Sequence, residues 1–266
     1  MNFSKTALWL SVLVAILVLL ASGAGLLLTS TYARETPSWA IQGLGQDLVN
    51  LVAVLALLIT AYLVNRGSVK AFLIWSGVLL YLLYAYVIYA FDVHFNRLFL
   101  VYVAILGLSF YALVSLVIHL HLEQLQASFA GNTKARAVSV LLLVIGILFY
   151  LLWLSEEIPA LLTGKIPPSV AMANLPTNPV HVLDLGLYLP AMIITAVLLW
   201  RRKLLGYLLA GPLLVFIVLT GTAILAIFLL TSMRGMPTSI GVEAFFAIII
   251  VVSLVLSVLY VRAVKE

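Results

Sequence analysis

Long apolar segments alternate with short polar ones along the whole chain. A bilayer core about 30 Å thick is crossed by roughly 20 apolar residues in helical conformation. The segments show no period-two alternation, which favours helices over the strands of a barrel. Eight segments are long enough, and they cover residues 7–29, 46–64, 71–91, 98–121, 137–155, 182–200, 204–231 and 240–262. The pattern predicts an all-α, polytopic transmembrane helical bundle that forms a single domain over residues 1–266.

Composition supports lipid as the main solvent of the chain. Hydrophobic residues make up 65% of the 266 positions and charged residues only 9%, with a mean hydropathy of +1.26. A soluble domain carries about 25% charged residues. The net charge is +5, but the basic residues lie in short loops, so no nucleic-acid partner is expected. The absence of cysteine excludes disulfides, thiolate metal ligands and cysteine nucleophiles.

The basic residues predict the orientation of the bundle. Four lie in one set of loops: Arg34, Arg97, Lys165 and Arg234. Ten lie in the alternate set: Lys5, Arg66, Lys70, Lys134, Arg136, Arg201, Arg202, Lys203, Arg262 and Lys265. The richer side is cytoplasmic by the positive-inside rule, so both termini are predicted inside the cell. We therefore expect a multi-pass protein of a bacterial inner (plasma) membrane.

The first span has a second interpretation. Lys5, the apolar stretch that follows it and the small residues at 21–24 resemble a cleavable signal peptide. The apolar run continues through Leu28, which is long enough to cross the membrane, and this favours a retained span.

Prolines and glycines inside the spans predict local features of packing. Pro190 and Pro212 should kink or locally open the sixth and seventh spans. Gly211 and Gly221 should allow close approach of a neighbouring helix.

The acidic residues are distributed in the opposite way to the basic ones. Only Glu123 and Glu266 fall on the predicted inner side. The outer side carries Glu35, Asp47, Asp92, Glu156, Glu157, Asp184 and Glu243. Ionisable groups at or within the membrane are costly and tend to be functional. Four outer clusters result, and they cover residues 46–50, 89–97, 155–157 and 177–184.

Each cluster also has a structural interpretation. Asp47 and Asp184 open predicted helices, where an acid caps free N–H groups and complements the dipole. Asp92 and Arg97 would form a loop ion pair. On the inner side, His119 and Glu123 are four residues apart and would pair across one helical turn.

Taken together, the outer clusters predict a polar pocket that opens outward and is covered by a lid, residues 156–181. Prolines in the lid argue against a long regular helix there. Histidine and carboxylate side chains suit a divalent metal such as Zn²⁺, and the candidate ligands are His94, His181, Asp92 and Asp184. Candidate general bases are Asp47, Glu156 and Glu157. Candidate ligand-binding residues are Asn50, Tyr89, Asn96, Asn178 and Tyr188. No known catalytic motif is present.

Two stretches resemble an uncharacterised family of bacterial polytopic inner-membrane proteins. They read YAFDVHFN at 89–96 and LPTNPVHVLD at 175–184. The resemblance extends over most of the chain and implies an inner-membrane protein, with no particular activity. It includes His94, Asn96, Asn178, His181 and Asp184.

Three functions compete at this point. The first is a membrane-embedded enzyme or binding protein that acts on a lipid-like or small amphiphilic ligand at the outer face. The second is a transporter or channel, which would require polar groups near the midplane. The third is a sensory or scaffold protein. The one-sided acid distribution favours the first.

The topology is open to a direct test. Reporter fusions after Lys70, Lys134 and Lys203 should all report the cytoplasm, because each site lies in a loop of the base-rich side. A periplasmic signal from any of the three would contradict the predicted span count or orientation.

Overall fold

The computed structural model describes residues 5–118, 125–129 and 131–266, and within them eight helices are long and apolar enough to cross a membrane. The predicted all-α bundle is confirmed, and no strand occurs in these ranges. The end of the predicted fourth span and the pair His119 and Glu123 lie outside the described residues. The long helices are α1 (Lys5–Leu27), α2 (Pro37–Asn65), α3 (Val69–Asp92), α4 (Phe99–Ile118), α5 (Ala135–Thr163), α7 (Pro179–Trp200), α8 (Leu204–Met233) and α9 (Ile240–Arg262). A short helix, α6 (Pro168–Ala173), lies between α5 and α7.

Two helices extend further than the apolar pattern predicts. Helix α2 begins at Pro37, because Thr36 accepts a hydrogen bond from the Trp39 N–H and a proline suits the first helical position. Helix α5 continues through Pro159 to Thr163 and ends at Gly164, whose φ of 65° is left-handed. A proline one turn from the helix end interrupts few hydrogen bonds. The first part of the predicted lid, residues 156–163, is therefore helical, and the segment that lies outside this helix begins at residue 164.

Helix α7 opens locally where the sequence predicts it. Residues Asp184–Tyr188 form a π-helical turn that is closed by a hydrogen bond from the Leu189 N–H to the Asp184 carbonyl. Pro190 follows directly and has no N–H to continue the regular ladder. Helix α8, in contrast, runs through Pro212 without a break.

Helix α3 is the most buried span and packs against α2, α4 and α8. Glycines permit the closest contacts. A methyl group on Gly77 would overlap the Val215 side chain and the Pro212 carbonyl of α8. One on Gly211 would crowd Leu73, and one on Gly221 would overlap Ile250. The predicted close approaches at Gly211 and Gly221 are confirmed.

The first and last described residues, Lys5 and Glu266, lie on one face of the bundle, which we call the terminal face. The Glu266 carboxylate accepts hydrogen bonds from the Ser68 hydroxyl (2.8 Å) and the Val69 N–H (3.0 Å) at the start of α3. Lys5 lies beside Asn65, the last residue of α2. The opposite face carries the loops 28–36, 93–98 and 164–178, and we call it the acidic face. Which face meets the cytoplasm stays a prediction from the basic residues.

The contact at Gly77 leads to a stability prediction. Gly77→Ala should lower the free energy of unfolding by about 1–3 kcal/mol, because the methyl group forces α3 and α8 apart. Gly107→Ala is the matched control, since a methyl group there meets nothing within 4 Å, and it should be neutral or stabilising by up to ~1 kcal/mol. Thermal unfolding in detergent, followed by circular dichroism, measures both. Equal effects of the two substitutions would contradict the proposed packing.

Candidate functional site

In the half of the bundle next to the acidic face, the polar side chains form two buried clusters on different sides of α3. They do not form the single pocket that the sequence predicts. The Asp47 cluster lies between α1, α2 and α3 and comprises Ser22, Tyr32, Gln46, Asp47, Asn50, Tyr81, Tyr86 and Tyr89. The His181 cluster lies between α3, α5 and α7 and comprises Tyr84, Trp153, Glu157, His181, Asp184 and Tyr188.

A histidine and a carboxylate form the centre of the His181 cluster. Nδ1 of His181 lies 2.6 Å from Oε1 of Glu157. His181 is 4% exposed, whereas the Glu157 side chain is 24% exposed. A carboxylate that accepts the Nδ1 proton leaves Nε2 as the basic nitrogen. The ring of Trp153 covers the imidazole, with centroids 4.3 Å apart.

The beginning of α7 fixes the position of His181. The Asn178 side chain accepts hydrogen bonds from the Val180 and His181 N–H groups, and Pro179 occupies the first helical position. Asn178 therefore caps the helix, and its amide group also donates to the Ser169 hydroxyl at 3.0 Å.

Asp184 lies one turn further along α7, at the start of the π turn. Its Oδ2 accepts a hydrogen bond from Trp153 Nε1 at 2.9 Å, and its carboxylate also bonds the Tyr84 hydroxyl. The Tyr188 hydroxyl donates to the Leu80 carbonyl at 3.3 Å. Asp184 was predicted to cap a helix, yet it lies inside α7, because the helix begins five residues earlier at Pro179.

The segment 164–178, which we call the strap, crosses the acidic face beside this cluster. Glu156 Oε1 accepts a hydrogen bond from the Ser169 N–H in the first turn of α6 at 2.8 Å. Because Asn178 bonds the same serine, α6 is held to both α5 and α7. Glu156, a candidate general base, thus anchors the strap.

The Asp47 cluster is the more deeply buried of the two. Asp47 is 1% exposed and lies ten residues from the start of α2, about 15 Å along the helix axis. Oδ2 accepts from the Tyr32 hydroxyl at 2.5 Å, and Oδ1 accepts from the Tyr89 hydroxyl at 2.9 Å. The capping interpretation of Asp47 is wrong, because α2 begins well before it.

Asn50 continues this network towards the middle of the membrane. Its Oδ1 accepts from the Tyr81 hydroxyl (3.1 Å) and from Gln46 Nε2 (3.2 Å), while its amide group donates to the Ser22 hydroxyl (3.2 Å). Asn50 and Tyr89 therefore belong to one cluster, in which their polar atoms bond neighbouring protein groups. Their predicted role in ligand binding stays a prediction.

A third group lies nearer the surface of the acidic face. Glu35 binds both Nδ1 and the backbone N–H of His94, at 2.9 and 2.8 Å. Asn96 donates to the Thr31 carbonyl at 3.3 Å and approaches the Tyr102 hydroxyl at 3.5 Å. The side chains of Asp92 and Arg97 form no ion pair in the described structure.

The four predicted metal ligands do not come together. His94 pairs with Glu35 and His181 with Glu157, while Asp92 and Asp184 contact neither histidine by an ion pair. Across the described ranges, no three histidine, aspartate or glutamate side chains lie close enough to hold a metal. The reason is that residues on one membrane face can still be separated by a helix, here α3.

Several residues of the two clusters were not predicted as part of a site. Among them are Tyr32, Trp153 and Ser22, which all bond predicted residues. Gln46, which bonds Asn50, belongs to the predicted cluster 46–50. Tyr32 lies in a loop, and Trp153 is of a residue type that commonly anchors helices at the membrane interface. Neither residue therefore shows a local sequence pattern that indicates a site. Gln46 is adjacent to Asp47 and four residues from Asn50, a helical spacing that marks a shared face.

Comparisons with protein-family models, with curated proteins and with solved structures give no match for this chain. Function is therefore argued from the geometry of the two clusters.

Burial and the neighbouring Asp47 carboxylate raise the pKa of Tyr32 well above its ordinary value of 10.0. The folded state thus holds this proton more tightly than the unfolded state. The resulting stability is fully present below pH 10.0 and is lost as the pH rises through the folded pKa. The free energy of unfolding should therefore decrease less steeply at alkaline pH in Tyr32→Phe than in the wild type. Chemical unfolding in detergent at a series of pH values measures this decrease.

The control for this measurement is Tyr111→Phe, because Tyr111 is 63% exposed on α4. It should leave the pH profile unchanged. Tyr32→Phe should also cost about 1.5–3 kcal/mol at neutral pH, the usual contribution of a hydrogen bond to a charged group. An alkaline slope identical to that of the wild type would contradict the role assigned to the Tyr32 proton.

Proposed function

We propose that this chain is a multi-pass protein of a bacterial inner membrane that binds a lipid-like molecule at its acidic face and acts on the polar headgroup by acid–base catalysis. The observation that carries the proposal is the pair His181 and Glu157, which lies near the ends of two membrane-spanning helices and is connected to an apolar groove by a row of aromatic contacts.

The roles of the pair follow from its geometry. Glu157 accepts the Nδ1 proton, orients the imidazole and stabilises its protonated form. Nε2 of His181 then takes a proton from a water or hydroxyl group of the ligand and returns it to the leaving oxygen. The Trp153 ring packs on one side of the His181 imidazole, and its indole N–H donates a hydrogen bond to Asp184. These contacts fix the base within a site that is largely shielded from water.

An apolar groove between α5 and α9 supports a lipid-like ligand. It is lined by Leu148, Leu152, Gly241, Val242, Phe245 and Phe246. Aromatic contacts connect it to the catalytic pair, since Phe246 packs on Phe149 and Phe149 packs on Trp153, with ring centroids 5.9 and 5.7 Å apart. An acyl chain in the groove would place its headgroup at the acidic face, beside His181.

Transport is the second candidate, and the depth of the Asp47 cluster favours it. Asn50 and Tyr81 lie near the middle of α2 and α3, where transporters bind their substrates. However, the residues of α3 that follow towards the terminal face are apolar except for Ser76, Trp75 and Lys70 in the first turn, and the Ser76 hydroxyl bonds its own helix. This favours a site that opens to one face.

The test uses conservative substitutions of the pair. The wild type and variants are reconstituted in vesicles of bacterial polar lipids, and the lipid products are identified by mass spectrometry. Glu157→Gln and His181→Gln should each lower turnover by roughly 10²-fold or more, the contribution of a positioned general base. Glu156→Gln is the matched control, because Glu156 is adjacent but bonds the strap, and it should retain most of the turnover.

Binding is tested separately with a phospholipid that carries a photoactivatable group in its acyl chain. Crosslinks should concentrate on residues 148–152 and 241–246. Gly241→Leu should reduce them several-fold by filling the groove, while Gly107→Leu on α4 should not. Uniform labelling of all lipid-exposed helices, together with unchanged lipid composition in every variant, would refute the proposal.

A further inference from the structure

Among the described residues, no basic side chain forms an ion pair with the Asp47 carboxylate, and the ion pairs found there involve Glu35 and Glu157 instead. Inside a bilayer, an ionised carboxylate is expensive unless donors or counter-charges surround it. In the described structure its donors are neutral hydroxyl groups, above all those of Tyr32 and Tyr89. Such a group is stable in the membrane either as an anion held by these hydroxyls or as a neutral carboxylic acid.

The packing around Asp47 is tight where α1 and the 28–36 loop meet α2. A methyl group on Gly25 of α1 would overlap the Asp47 carboxylate and the Tyr32 hydroxyl. One on Gly43 of α2 would overlap the Tyr32 ring. The glycines thus let α1 and the 28–36 loop close directly over the carboxylate. A proton, unlike a metal ion or an organic molecule, needs no cavity.

An unpartnered hydroxyl faces the same carboxylate. The Tyr86 side chain is fully buried, and within the described residues its hydroxyl has no hydrogen-bond partner in good geometry, although it lies close to Asp47 and Ser22. A buried hydroxyl without a partner lowers stability, so the cluster retains unused hydrogen-bonding capacity beside the carboxylate.

We propose that Asp47 is a proton-binding site inside the membrane, and that Tyr32 exchanges its proton with the acidic face. A proton from water forms an O–H bond at the Tyr32 oxygen, while the existing Tyr32 proton passes to Oδ2 of Asp47. Tyr32 remains a neutral hydroxyl and Asp47 becomes a neutral carboxylic acid. Burial and the Asp47 carboxylate raise the pKa of Tyr32, so its hydroxyl is neutral before and after the transfer.

The surroundings contain few other groups that titrate. The titratable side chains that face Asp47 are Tyr32 from the loop, Tyr81, Tyr86 and Tyr89 from α3, and Tyr102 from α4. Helix α1 contributes Ser22, and α8 meets α2 through Ile227 at Gly45. All the tyrosines are neutral near pH 7. A change of charge in this cluster near neutral pH must therefore occur at Asp47.

Infrared spectroscopy tests the site directly. The chain has three aspartates, Asp47, Asp92 and Asp184, so Asp92→Asn/Asp184→Asn leaves Asp47 as the single residue labelled by ¹³C-carboxyl aspartate. In vesicles, the labelled carboxylic-acid band should convert to a carboxylate band as the pH rises from about 4 to about 10, a range that brackets ordinary and raised carboxyl pKa values. A label that keeps one protonation state throughout would overturn the proposal.

The relay is tested by the rate of exchange into D₂O. Tyr32→Phe should slow the deuterium shift of the labelled acid band by roughly 10²-fold, the lower end of the effect of a positioned proton-transfer group, whereas Tyr111→Phe should not change it. An unchanged rate in Tyr32→Phe would overturn the assigned route. If the double variant fails to fold, the spectrum of labelled Asp47→Asn is subtracted from that of the labelled wild type. The difference isolates the Asp47 band, and its response to pH and its rate of exchange decide the proposal in the same way. The result is independent of turnover at His181.

Discussion

The part of the structure next to the acidic face depends on one interaction inside the bilayer. Tyrosine hydroxyls donate hydrogen bonds to a buried carboxylate. Hydrocarbon offers no hydrogen bonds, so every polar atom of a spanning helix needs a partner from the protein. Asp47 meets this requirement with Tyr89 of α3 and with Tyr32 of the 28–36 loop. The loop therefore folds inward over the carboxylate instead of extending into water.

The same requirement explains the close packing of the first three helices. Gly25 and Gly43 have no side chains at the points where the Asp47 carboxylate and the Tyr32 ring pass. Larger residues at these positions would push α1 and the loop outward and leave the carboxylate unpaired. Hydrogen bonds from Asn50 to Ser22 and from Tyr81 to Asn50 then join α1, α2 and α3 below it.

The second cluster meets the requirement differently, because it lies where a helix opens. The π turn at Asp184–Tyr188 frees backbone carbonyls, and the Tyr150 hydroxyl donates to the Leu185 carbonyl at 2.8 Å. Trp153 connects the two acidic groups of the cluster, as it donates to Asp184 and stacks on the histidine that Glu157 orients. One cluster is thus closed within three helices, whereas the other lies beside the strap and connects to the apolar groove through ring contacts. This difference is the physical basis for the two proposals, a proton at the first cluster and an amphiphilic ligand at the second.

The sequence by itself determined the class of protein, the eight spans and the opening of α7 near Pro190, because apolar length and proline geometry act locally. It also identified Asp47, Asn50, Glu157, His181 and Asp184 as members of polar clusters. Only the tertiary structure decided their partners. Helix α3 separates residues that share a membrane face, so His94 pairs with Glu35 and His181 with Glu157. Tyr32 and Trp153 join the clusters through contacts between segments distant in sequence, and no local pattern records such contacts. The depth of Asp47 depended on the start of α2 at Pro37, where a threonine cap outweighs the mixed polarity of the first turns.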